Sequence, residues 1–130
     1  MNDAITPLFC TARLEDTKAF YREHLGMRLA VELPGYAELQ RGEGGPLLAF
    51  MAPEVGKFEP ASGKGLIYCF QVDDADAEHA RLAAAGVEIL EGPGEKPWGE
   101  RAFLAVDPNG ITLYFGHRLP AKVESLAAAK

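Results

Sequence analysis

The chain has 130 residues, 48% hydrophobic and 25% charged, and two cysteines, the balance expected of one globular domain with a core of its own. A net charge of −6 without clustered Lys/Arg argues against a nucleic-acid surface and against an anionic membrane. No apolar run approaches the roughly 18 residues of a membrane span, and "MNDAITPLF" has neither the basic leader nor the apolar stretch of a signal peptide, so a cytoplasmic location is expected.

In chain order, one unit is written twice. "LFCTARLEDTKAFYREHLGMRLAVEL" (8–33) and "IYCFQVDDADAEHARLAAAGVEIL" (67–90) each read as apolar strand, acidic start, amphipathic helix, glycine and apolar strand. Gly26 matches Gly86 and Cys10 matches Cys69, with one small indel between the halves. A unit occurring only twice points to a duplication, because solenoids need three or more stacked repeats.

In the first helix, Glu15 or Asp16 places negative charge at the N-terminal end, where the dipole favours it. Leu14, Phe20, Tyr21 and Leu25 supply its apolar side, with Lys18, Arg22 and Glu23 outward. Three strands follow at hairpin spacing: "MRLAVEL", "YAELQR" and "PLLAFMA". "PEVGKFEPASGK" (53–64) connects the halves. In the second helix, Asp73 or Asp74 is the expected N-cap, and Ala77, Ala80, Leu82 and Ala84 the packing surface. "GVEILE", "RAFLAVD" and "ITLYFGH" come next, separated by the loop "GPGEKPWGE" and by Asp107-Pro108-Asn109-Gly110, a hairpin signal. The modules span about 4–52 and 65–117 of a single domain, 1–130, with a tail, 118–130, able to form a short helix. Cys10 and Cys69 stand in apolar runs without Cys-x-x-Cys spacing and are expected to be buried, reduced thiols.

The duplicated pattern, with "TKAFYREHLGM" in one half and "DPNGITLYF" in the other, resembles the vicinal oxygen chelate superfamily of glyoxalases, bleomycin and fosfomycin resistance proteins and extradiol dioxygenases. The resemblance covers roughly residues 5–117. It implies an α+β fold of two βαβββ modules whose curved mixed sheets form a cup, in a homodimer, with a metal or ligand inside. It also implies metal-ligand positions on the first, fourth, fifth and last strands. Here these fall on Thr6, on Ala49 or Phe50, on Ile67 and on Tyr114, none of them His or carboxylate, so no metal and no cofactor is expected. The histidines do not repair this. His24 ends the first helix, His79 lies on the outward side of the second, and His117 follows the last strand with the wrong parity for the cup.

Strand alternation assigns Ile111, Leu113 and Phe115 to the helices and Thr112 and Tyr114 to the cup. By the same template Thr6, Leu8, Cys10, Ile67 and Cys69 point inward, and Phe50 or its neighbours join them. The hollow is then apolar and aromatic with a few hydroxyls, the profile of an organic-ligand pocket. "KPWG" (96–99), followed by Arg101, Phe103 and Asp107-Pro108-x-Gly110, is similar to the bleomycin-resistance branch, where a tryptophan at this place stacks on planar heterocycles. Trp98 either does the same or covers a core edge or subunit contact. Arg101 either meets a ligand anion or is a solvated surface residue. Glu38 either reaches the cup or lies on a polar outer face.

The expected function is metal-independent binding of a planar or aromatic small molecule, with no catalytic residues. Net negative charge suits a cationic ligand. The alternatives are a metal-dependent lyase, isomerase or dioxygenase of the same fold with relocated ligands, and a regulatory module that binds a metabolite.

Overall fold

A computed structural model describes residues 3–120. The chain divides into two compact units, Met1–Ser62 and Gly63–Lys130, each built as one β-α-β-β-β module. The tail beyond Pro120, where a short helix is expected, lies outside the described residues. Among the described residues no helix is long and apolar enough to cross a membrane.

The first unit comprises β1 (Leu8–Cys10), α1 (Leu14–Glu23), β2 (Arg28–Leu33), β3 (Tyr36–Gln40), β4 (Leu47–Met51) and a short α2 (Pro53–Gly56). The sheet order is β1-β4-β3-β2, with β1 parallel to β4 and the other pairs antiparallel. Glu15 and Asp16 fall in the first turn of α1, as its dipole favours, although the capping position is Arg13 and carries no side-chain cap. The helix buries Thr17 and Tyr21 and leaves Leu14, Phe20 and Leu25 half-buried. Tyr21 reaches the Phe50 ring at 5.2 Å, and Phe9 meets the same ring edge-on at 6.3 Å. Lys18, expected to point outward, instead bridges Glu15 at 2.8 Å and Glu32 on β2 at 2.7 Å, with only 12% of its side chain exposed. Hydrogen bonds to Glu15 and then Glu32 raise the Lys18 ammonium, and Lys18 in turn lowers the Glu32 carboxyl.

The second unit comprises β5 (Ile67–Gln71), α3 (Ala75–Ala84), β6 (Ile89–Lys96), β7 (Glu100–Val106) and β8 (Thr112–Arg118), in the order β5-β8-β7-β6. β5 runs parallel to β8, and the other pairs are antiparallel. Its core is a stack of rings, Phe70 on Phe115 at 5.1 Å and Phe115 on Phe103 at 5.0 Å, both with planes 16° apart. Asp74 caps α3, accepting from the Ala77 N–H at 3.1 Å. Gly86, at φ +86°, closes the helix in the left-handed conformation that the sequence pattern requires there.

Several expectations are corrected. The packing stripe of α3 is Ala75 and Leu82, while Ala77, Ala80 and Ala84 are exposed; methyl groups carry little periodicity, so an alanine-rich helix does not announce its buried side. His79 is not outward but half-buried, edge-on to Phe103 at 5.3 Å. The loop expected at 92–100 is largely strand: β6 extends through Gly-Pro-Gly to Lys96, with register shifts between Ile89 and Glu91 and between Glu91 and Gly94. Pairing with β7 overrides the low strand propensity of glycine and proline, at the cost of bulges. Cys10 is buried, its thiol donating to the Phe58 carbonyl at 3.7 Å, but Cys69 is exposed. An apolar run on a strand fills both faces, and only one of them meets a helix.

The Asp107-Pro108-Asn109-Gly110 turn is held by a buried side chain. The Asp107 carboxylate, 5% exposed, accepts from the Asn109 N–H at 2.8 Å and the Ile111 N–H at 2.9 Å. Gly63 donates its N–H to Asn109 O at 3.1 Å. A Cβ at Gly63 would lie 2.3 Å from Ile111 N, so only glycine fits this approach.

Candidate functional site

One face of the second unit's sheet carries Phe70, Phe103 and Phe115 toward α3; the other lines an open hollow of about 630 Å³. Alternation puts Ile67, Cys69 and Gln71 of β5, Thr112 and Tyr114 of β8, and Glu100 and Leu104 of β7 on that second face. Glu91 and Lys96 of β6 complete the rim and form an ion pair with each other. Trp98 stands at the lip, on the tight turn in which Gly99 N–H donates to Lys96 O at 3.1 Å, and is 54% exposed.

Trp98 is held by its polar edge. Its Nε1–H donates to the Tyr114 hydroxyl at 2.8 Å and to Glu100 Oε1 at 3.2 Å. The Tyr114 hydroxyl donates in turn to Glu100 Oε1, and Gln71 Nε2 donates to Glu100 Oε2 at 3.3 Å. The two rings lie 6.4 Å apart and tilted by 36°, so they make a corner against which one flat molecule can rest. Gly116 explains how the phenol reaches Glu100. A Cβ there would come within 2.9 Å of the Tyr114 ring, and Ala102 opposite it carries only a methyl group, so space is left for the ring beside Gly116.

Burial first, and then the Glu100 carboxylate, push the Tyr114 phenol up to about 12. The bond from Tyr114 is the main cause holding the Glu100 carboxyl below its ordinary value. At neutral pH the pair is therefore a neutral donor on an ionised acceptor. A depressed acid contributes above its ordinary range and loses that contribution as pH falls through the lowered value. A raised phenol contributes fully below 10.0 and loses it as pH rises through about 12. Tyr36 is also pushed up to about 12, by its bond to Glu38, and Tyr68 to about 12, by burial and the nearby Asp107. In an alkaline titration followed by tyrosinate absorbance, Tyr36, Tyr68 and Tyr114 should ionise near 12 rather than at 10.0, while Trp98 fluorescence stays flat through neutrality.

Of the residues singled out from the sequence, the structure brings Trp98, Tyr114, Ile67 and Thr112 together in this hollow. Arg101 does not join them. It points to the helix side and forks onto Asp76 of α3 at 2.6 and 2.9 Å, which lowers the Asp76 carboxyl. Phe50 is likewise corrected: it is 0% exposed, against Tyr21 and Phe9, because the opposite parity belongs to Ala49. Leu8 and Glu38 lie on the first unit's sheet, both paired in register with Ala49; Leu8 is 49% exposed, and Glu38 accepts from Tyr36 at 2.6 Å. Thr6 is exposed and precedes β1. His117 faces α3, its Nδ1 accepting from the Ala75 N–H at 2.9 Å, and His24 caps the end of α1.

Sequence reasoning missed Glu100, Gln71, Glu91, Lys96 and Leu104. The available signal was parity: Glu100 and Leu104 alternate with the core residues Phe103 and Ala105. A cleft of about 680 Å³ also runs along α1 and β2, but its ammonium, Lys18, is already held by Glu15 and Glu32. Among the described residues, no three of His, Cys, Asp and Glu gather so as to hold a metal ion. The hollow's donors, one thiol, one phenol and separated carboxylates, do not fit the metal centre that part of the resemblance implies.

A family model for the glyoxalase/bleomycin resistance protein/dioxygenase superfamily matches residues 5–115. The chain belongs to this superfamily. Solved structures agree on the fold. A glyoxalase/bleomycin resistance protein/dioxygenase from Nocardioides is 23% identical, with TM-score 0.76 over 92% of this chain and 85% of that one. Lactoylglutathione lyase from Agrobacterium tumefaciens is 22% identical, with TM-score 0.71 over 89% and 94%. TnmS3, an antibiotic binding protein from Streptomyces sp. CB03234, is 25% identical, with TM-score 0.73 over 91% and 97%. No curated protein matches the chain. Superfamily membership thus covers binding proteins and enzymes alike, and the site's own chemistry has to separate them.

Proposed function

We propose that this superfamily member binds a planar organic molecule in the hollow of β5–β8 without a metal, sequestering it rather than transforming it. One observation carries the reading: a half-exposed indole, fixed at the lip by hydrogen bonds to Tyr114 and Glu100, overlooks a floor of Ile67, Leu104 and Thr112. An exposed aromatic face costs solvation in the free protein and gains area and stacking when a flat ring covers it. The likeness to TnmS3 and the resemblance of "KPWG" (96–99) to the bleomycin-resistance branch support a drug-like ligand. Sequestration requires affinity alone, which is consistent with a donor set unsuited to a catalytic metal. Pairing of two copies into a homodimer within the cytoplasm belongs to the same proposal.

The test is a titration of the purified protein with planar aromatic compounds, followed by Trp98 fluorescence and by reaction of Cys69 with a thiol reagent. Cys69 is exposed in the hollow and Cys10 is buried, so one thiol should react in the native protein and saturating ligand should protect it. Quenching without protection would place the ligand outside the hollow. Stoichiometric divalent metal in protein purified without added metal would return the molecule to the enzyme reading.

A further inference from the structure

Resting on that reading, we infer that the molecule held in the hollow is a planar organic cation, its positive group set against Glu100, which makes Glu100 the residue that determines specificity. The lining carries two carboxylates, Glu91 and Glu100, and one ammonium, Lys96. Lys96 is engaged by Glu91, so those two charges cancel at the rim. Glu100 makes no ion pair among the described residues: its hydrogen-bond partners are the neutral groups of Trp98, Tyr114 and Gln71, and Arg118, opposite it on β8, lowers its carboxyl only through space, as the last of the named causes. Two of those three donors converge on Oε1, leaving Oε2 with the single long contact from Gln71 at 3.3 Å. A carboxylate offers about four lone-pair sites, so one remains for an incoming donor.

Desolvation turns this arrangement into selectivity. In the free protein Glu100 faces water. A flat ligand resting on Trp98 and over Ile67 and Leu104 excludes that water and lowers the local dielectric. A neutral ligand then leaves a carboxylate without an ion pair under an apolar lid, and an anion adds repulsion to the same penalty. A cation removes the penalty, gains a charge-assisted bond and meets the negative faces of the indole and phenol rings. The hollow thus rejects wrong ligands by the cost they impose as much as it attracts the right one.

The experiment compares three tricyclic probes of similar shape at neutral pH, with affinity read by calorimetry: proflavine, a cation; acridine, neutral; and anthracene-9-carboxylate, an anion. Proflavine should bind the wild-type protein about tenfold tighter than acridine, and the carboxylate should bind weakest. Glu100→Gln keeps the shape and an acceptor oxygen, and should bring proflavine and acridine to within about twofold of each other. Glu78→Gln on α3, on the other side of the sheet, makes the same change in net charge and should leave the preference in place. Equal binding of proflavine and acridine by the wild type, which needs no variant, would overturn the inference and leave the binding proposal standing. So would a preference that survives Glu100→Gln. Absence of binding by all three probes would remove the binding proposal and the inference with it.

Discussion

Replacing Trp98 by alanine should weaken binding of a planar aromatic probe by roughly 50- to 300-fold, with little change in stability. A ligand covering about half of an indole removes roughly 80 Å² of apolar surface from water, worth about 2 kcal/mol, and stacking adds roughly 0.5–1.5 kcal/mol. Trp98 is 54% exposed, and its hydrogen bonds to Tyr114 and Glu100 lie at the surface, so folding should feel its loss by no more than about 0.5 kcal/mol. The reporter disappears with the residue, so affinity has to be read from the probe's own anisotropy or by calorimetry. Trp98→Phe separates the two contributions, because it keeps a stacking face and loses the Nε1–H that anchors it. A large drop in melting temperature with unchanged affinity would instead assign the indole to a core edge or a subunit contact.

Asp107→Ala should produce the largest loss of stability, about 3 kcal/mol by urea denaturation, although the residue is remote from the aromatic corner. Its carboxylate holds two backbone N–H groups, Asn109 at 2.8 Å and Ile111 at 2.9 Å, and Ile111 is 0% exposed. Hydrogen bonds to a charged acceptor are worth about 1.5–3 kcal/mol each, and a stranded buried donor bears the full penalty of lost solvation. Against the roughly 5–15 kcal/mol available to a domain, that is a large fraction. Asp107→Asn retains one acceptor and should recover about half of the loss. Removing the charge should also let the Tyr68 phenol titrate lower, since Asp107 is the second cause of its upward shift after burial. Unchanged stability in Asp107→Ala would mean that the turn is set by Gly63 and Gly110 alone.

These two sites differ in how far the sequence disclosed them. The Asp-Pro-Asn-Gly turn was legible as a hairpin, because its chemistry is local: a short acceptor reaches N–H groups two and four residues on, and Gly110 accepts φ +82°. What the sequence did not disclose was Gly63, whose need to be glycine comes from a segment distant in the chain packing onto the same turn. The hollow was half legible. Alternation along "ITLYF" correctly separated Thr112 and Tyr114 from the residues packed on the helix. In "LLAFM" both parities are apolar, so the pattern could not say that Phe50 belongs to the core.

The order of the strands and of the two long helices, their duplication, the glycine ends of those helices and their acidic first turns were determined by the sequence by itself; the short α2, Pro53–Gly56, within the expected connection, was not. Each depends on interactions within a few residues, which composition and spacing record. Tertiary structure alone decided which partners the charged side chains found: Arg101 with Asp76, Lys18 with Glu32, and Glu100 with the neutral donors of Tyr114 and Trp98. It also carried β6 through a glycine-rich stretch and left Cys69 in the open. Such pairings depend on strand register and on which face a helix covers, and both are set by long-range contacts that no local pattern encodes.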